Sequence, residues 1–168
     1  TWDDHDTGID NGNSQTPSIA VARKAFQTLF GSQDTQGRDG VQRVFRMGDQ
    51  KFILLDNRSY RSDKENTTYG HIGKKQEQWL SEQLNDENHF HWIVSGDMWG
   101  SPAITKKLKS GKTKKITEGF YADNSKQYAR VMRKIHETGL RYALISGDIH
   151  FSQIIEHGPE FEGSSRFS

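Results

Sequence analysis

Apolar positions along the chain fall into short groups with two kinds of spacing. Ile19, Ala22, Phe26, Leu29 and Phe30 recur at helical intervals. This stripe predicts a helix that starts at Thr16–Pro17, with Thr as N-cap and Pro at the first helical position, and stops at Gly31. Two extended runs follow, Val41–Met47 and Lys51–Asp56, parted by a hairpin turn at Gly48–Asp49. Helical spacing returns over Gly73–Leu84, where Gln76, Trp79, Leu80, Gln83 and Leu84 share or border one face. It returns again over Asn124–Glu137, with Tyr128, Val131, Met132 and Ile135 at i, i+3, i+4 and i+7 and Gly139 as C-cap. His91–Ser95 and Tyr142–Ser146 read as buried strands, and Phe151–Glu156 as one more. Gly100–Gly119 reads as a long Lys-rich loop. Strands and helices alternate, so the expected class is α/β with a largely buried sheet. Sheets of this kind place their sites beyond the strand ends, where the polar residues of interest lie.

Composition narrows the class. A chain of 168 residues has the usual size of one domain. Hydrophobic content is 32% and mean hydropathy is −0.89, low for a globular chain. Aromatics reach 11%, which a disordered chain would lack. With 23 basic and 22 acidic residues the net charge is +1, which argues against a strongly basic nucleic-acid binder or an acidic tail. The absence of cysteine excludes a disulfide scaffold, Cys-ligated zinc and thiol catalysis. Apolar runs stop at about four residues against the ~20 of a membrane span, so no transmembrane segment is expected. A start at Thr1 without a signal-peptide pattern, and a tail that looks cut, make the chain read as a piece of a longer protein.

Four clusters carry candidate chemistry. Asp3, Asp4, His5 and Asp6 crowd three carboxylates and an imidazole together, which either hold a hard cation, with Asn11 adding an amide oxygen, or form a solvated acidic loop. Asp148 and His150 follow a hydrophobic strand through Gly147, either as two ligands at the sheet edge or as a strand-end turn. Asp97 follows Gly96 in the same way; orienting a ligand, binding substrate and closing a turn are all open to it. Arg58 and Arg61 follow Asp56 and either meet phosphate or brace that carboxylate. Six lysines within Lys106–Lys115 read as a solvated loop or as an attractor of a polyanion. The remaining histidines, His71, His89, His91, His136 and His157, read as surface or packed residues, and Trp79 and Trp92 as core.

TWDDHD, LLDNRSYR, GKKQEQWL and LISGDIHFSQI, in that order, resemble the alkaline phosphatase D (PhoD-like) family of calcineurin-like metallophosphatases. The resemblance implies a four-layer α/β/β/α sandwich and two or more metal ions, calcium and iron among them. It implies hydrolysis of phosphomonoesters or phosphodiesters by a metal-activated hydroxide. On that pattern Asp3 or Asp4, Asn11, Asp148 and His150 are metal ligands. His5 contacts the phosphoryl group or protonates the leaving oxygen, Arg58 or Arg61 stabilises charge, and Asp97 and Trp99 face substrate. The implied partners are a small phosphate ester, a phospholipid or another polyanion, with no specific nucleic-acid partner. The implied location is secreted, periplasmic or at the cell surface. The family's first blocks, an Asp-bearing strand end and a Gly-Asp-x-x-Tyr turn, are not found before WDDHD. Residues 1–168 are therefore expected to be one PhoD-like domain, incomplete at its N-terminus and its C-terminus and inactive alone. A serine esterase is disfavoured because no Gly-x-Ser-x-Gly elbow occurs. The alternative reading is a non-catalytic module that binds metal or polyanion.

Overall fold

The computed structural model describes residues 1–30, 39–62, 68–100, 104–116, 119–148, 155–156 and 166–167. A 3-10 turn at His5–Thr7 precedes helix α1 (Ile19–Phe30). Strands β1 (Arg43–Met47) and β2 (Gln50–Leu54) lead to helix α2 (Gly73–Gln83) and strand β3 (Phe90–Ser95). Strands β4 (Ile104–Lys107) and β5 (Thr113–Ile116), helices α3 (Phe120–Asp123) and α4 (Ser125–Glu137), and strand β6 (Tyr142–Ser146) follow. Two short strands, β7 (Ile155–Glu156) and β8 (Arg166–Phe167), pair with each other.

The main sheet has the order β1-β2-β3-β6. The β1–β2 pair is the antiparallel hairpin expected from the Gly48 turn, and β2, β3 and β6 are parallel. Mixed α/β with a mostly parallel sheet is therefore the fold class, and it is compatible with part of a metallophosphatase sandwich. Parallel neighbours need crossovers. Helix α2 makes the first, and the segment containing α3 and α4 makes the second.

Both crossover helices cover one sheet face. Ile53, Ile93 and Leu144 stand side by side across three strands. They form one core with Leu80 of α2, nearby Leu84, and Val131, Met132 and Ile135 of α4. Each full burial of such a side chain contributes roughly 1.5–3 kcal/mol. Lys51 is buried on that face too, and its Nζ donates to the Gln83 carbonyl at the end of α2, where a cation suits the unsatisfied carbonyls. On the other face Phe45, Phe52 and Trp92 stack in a row with centroids 4.9 and 6.2 Å apart.

Three boundaries differ from expectation for visible reasons. Helix α1 begins at Ile19 because the Thr16 hydroxyl accepts from the Asn13 N–H instead of capping the helix. Its expected end at Gly31 lies outside the described residues, as do residues 151–154 of the last expected strand. Strand β1 begins at Arg43 because the Val41 N–H is given to the Asp56 carboxylate. The lysine segment, expected to be a loop, contains the antiparallel hairpin β4–β5. Its Ser110-Gly111 turn, with Gly111 at φ +80°, lets the two lysine-rich strands pair.

Candidate metal centre

The site is built on the C-terminal ends of β2, β3 and β6. Beyond β2, Asp56 is fully buried and fully engaged. Its Oδ1 accepts from the Trp2 indole at 2.7 Å and from the Arg58 and Ser59 N–H groups, and its Oδ2 from Val41. The buried Gln76 amide of α2 pairs with the backbone N–H and C=O of the same residue. Asp56 is thus a structural clasp that fastens the N-terminal segment to the sheet. The expected brace between it and an arginine side chain is absent, because its oxygens are taken by the indole and by backbone donors.

Beyond β3 and β6 the chain runs Ser-Gly-Asp twice, at Ser95–Asp97 and Ser146–Asp148. Ser95 and Ser146 are in register, and the Gly147 N–H donates to the Gly96 carbonyl at 3.1 Å. A Cβ on Gly96 would lie 2.5 Å from the Trp2 carbonyl oxygen and 3.2 Å from Asp3 Cβ. Glycine there lets the acidic N-terminal segment lie against the turn.

Asp97 is the hub of a buried ion network. Its Oδ1 pairs with Arg58 Nη2, and its Oδ2 lies 3.0 Å from Arg61 Nη1 and 3.2 Å from His71 Nε2. Arg58 also grips Asp3 through Nε and Nη2. Arg61 and His71 reach on to Asp123 at the end of α3, at 3.3 and 3.1 Å. Asn57 completes the knot: its Nδ2 is 3.2 Å from His71 Nε2, and its Oδ1 accepts from Ser95 Oγ and the Gly96 N–H. Burial alone would raise the Asp97 pKa, but His71, Arg58 and Arg61 hold its carboxyl well below the usual range. Asp123 is held down in the same way by His71 and Arg61.

The neighbouring carboxylates are treated differently. Oxygens of Asp3, Asp4 and Asp148 lie within 4.8 Å of one another. Burial, then the Asp97 charge, pushes the Asp3 carboxyl up to about 7 against the pull of Arg58. Burial and the Asp97 charge also raise Asp148. Asp148 Oδ2 is buried without a hydrogen-bond partner, and its backbone is left-handed at φ +73°. Asp4 is desolvated as well, but the Asn11 and His5 N–H groups hold its carboxyl low. Three oxygen donors at this spacing, one of them orphaned, fit a hard cation, which takes oxygens at ~2.0–2.6 Å.

A family model for PhoD-like phosphatases matches residues 1–167. The chain belongs to the PhoD-like phosphatase family. No curated protein and no solved structure matches it significantly. Membership places the chain in a family of phosphatase type, in which catalysis is metal-dependent.

For a PhoD-like chain the remaining expected residues are distributed unevenly. His5 is exposed and shares a second group with Asp4 and Asp10. The Asn11 side chain turns away to Asp10, and Asn11 meets Asp4 through its backbone instead. His150 lies outside the described residues. Trp99, expected to face substrate, is packed in the core against Phe120, and its indole N–H donates to the Ile145 carbonyl. Asp97, read as a substrate contact, is occupied by two guanidinium groups and the His71 imidazole. His71 and Asp123 were not expected in the site. An isolated His beside a helix start and an Asp just before the next expected helix carry no local signal, since a turn and a crossover bring them together.

Proposed function

We propose that this PhoD-like domain belongs to a phosphomonoesterase or phosphodiesterase in which Asp3, Asp4 and Asp148 hold a divalent cation. The observation that carries the reading is the orphaned, buried Oδ2 of Asp148 beside two further carboxylates. By its place in the Gly-Asp-x-His motif, His150 is proposed as a further ligand. The carboxylate set suits calcium, and an added imidazole would suit iron. When bound, the metal supplies Lewis-acid polarisation of the phosphoryl oxygen and activation of water.

The chain's own residues do the rest. Arg58 orients Asp3 with Nε and Nη2, and its buried Nη1, which has no partner, is the donor left for a phosphoryl oxygen. Arg61 and His71 act as positioning residues that keep Asp97 and, through it, Arg58 in place. His5, exposed beside Asp4, donates the proton to the leaving oxygen. The exported location implied by the resemblance belongs to the same proposal.

The test pairs hydrolysis of a chromogenic monoester and diester with thermal denaturation, each with chelator and with calcium or iron restored. Metal-dependent turnover by the full-length protein, with cation-dependent stabilisation of the 168-residue chain, is the expected result. Stabilisation without turnover of either ester would leave a metal-binding module and overturn the hydrolase reading. Absence of both would overturn the metal centre as well.

A further inference from the structure

The hairpin β4–β5 forms a two-stranded sheet of its own, apart from the main sheet. It holds six of the chain's 23 basic residues and none of its 22 acidic ones, so the hairpin carries +6 and the rest of the chain −5. No acidic residue occurs from Met98 to Thr117. Lys106 stands opposite Lys114 in the strand register, a like-charge pairing that destabilises a free hairpin. Residues 105–113 are all exposed, and among the described residues no carboxylate pairs with Lys106, Lys107, Lys109 or Lys112. Such a surface is stabilised by a partner that brings several negative charges.

The described residues that flank the hairpin in sequence border the ion network behind the candidate metal centre. Its entry passes through Met98 and Trp99, and its exit through Gly119 to Tyr121. The Phe120 N–H donates to the Met98 carbonyl at 2.7 Å and the Tyr121 N–H to the Trp99 carbonyl at 3.1 Å. Met98 adjoins Asp97, and Asp123 lies two residues beyond Tyr121. The residues on either side of the hairpin therefore adjoin the ion network behind the centre. A phosphate chain approaching a centre lined by carboxylates is repelled, and a cationic arm beside it offsets that repulsion.

We propose that β4–β5 is a polyanion-binding arm that captures a linear polymer of phosphodiesters and presents it to the centre. Capture stands on its own, and only cleavage of the captured polymer rests on the hydrolase reading. Residues 104–116 contain no aromatic side chain on which bases could stack, so the arm reads backbone charge and not sequence. Leu108 is the one apolar side chain among residues 105–113, too little for insertion into a lipid surface. At ~3.3 Å per residue each four-residue strand spans ~13 Å, enough to track several successive phosphates.

The test is binding of a labelled abasic oligodeoxynucleotide, a phosphodiester backbone without bases, to the 168-residue chain in chelator so that nothing is cleaved. Lys106, Lys107, Lys109 and Lys112 are changed together to Gln, and matching melting temperatures show that the fold is kept. The expected result is a loss of affinity of at least about 100-fold at low salt. The slope of log affinity against log salt should shrink by about 3, near 0.7 for each lysine removed. Unchanged affinity in the variant would overturn the proposal. So would lysine-dependent binding to anionic phospholipid vesicles with none to the abasic polymer. Lysine-dependent polymer binding by a protein that cleaves no ester would uphold the arm while overturning the hydrolase reading.

Discussion

Asp97 and Asp148 end adjacent parallel strands, and each comes after the same Ser-Gly pair, yet they occupy opposite electrostatic worlds. Asp97 is surrounded by two guanidiniums and an imidazole that the fold itself supplies, and its carboxyl is held low. Asp148 is buried beside other carboxylates, keeps an oxygen without a partner, and has its carboxyl pushed up. One aspartate is neutralised from within; the other keeps a free oxygen for the cation we propose. Position in the fold does not decide the role of a strand-end carboxylate. The charges brought to it by distant segments do.

Removing each carboxylate separates the two roles. Asp97→Asn leaves Arg58, Arg61 and His71 without their common anion, and breaking a buried pair from one side costs about 3–5 kcal/mol. Chemical denaturation of the metal-free chain measures this. In Asp148→Asn the same experiment is expected to show stability within about 0.5 kcal/mol of wild type, since a desolvated charge is lost and Asn tolerates the left-handed backbone. Cation at 100 times its Kd should stabilise the wild type by about 2.7 kcal/mol and the Asp148→Asn variant by nothing. Equal responses in the two proteins would break the comparison.

The contrast has a pH signature through Asp3, which stands between the two carboxylates. Its folded pKa is raised from the ordinary 3.8 to about 7. A raised carboxyl stabilises the fold below the ordinary value, and that contribution is lost as pH rises through about 7. The metal-free chain should therefore weaken between about pH 4 and pH 7, and the stabilisation produced by cation should grow over the same interval. Melting temperatures across that range, with and without chelator, read it directly. A cation effect independent of pH would place the metal away from Asp3.

The smallest effect on turnover is expected at Trp99, the residue that the family resemblance assigns to substrate. Trp99→Phe loses the indole bond to the Ile145 carbonyl and some core volume, about 1–2 kcal/mol. Hydrolysis per folded molecule should not change, and a fall in kcat would return Trp99 to the site.

The legible parts of this protein are those where local pattern and fold agree. The Tyr128–Ile135 stripe, the Gly48 hairpin and the three strand-end aspartates are written in neighbouring residues, and the helix, turn and sheet edge result from them. The ion network is not local. His71 meets Asp97 because Gln127 of α4 accepts from the His71 N–H at 2.9 Å and fixes the approach to α2. Asp123 joins only because the crossover closes over β3. The resemblance places Trp99 at the substrate, whereas the Phe120 N–H bond to Met98 folds α3 over it.

The contact at Gly96 also bears on how such a centre changes over generations. Every substitution of glycine adds at least a Cβ, and here that atom would meet the main chain of Trp2 at 2.5 Å. No rotamer relieves a clash with a backbone oxygen. A side chain at position 96 is therefore accommodated only if the backbone at Trp2 and Asp3 moves with it, so the opening segment and the turn after β3 can change only together.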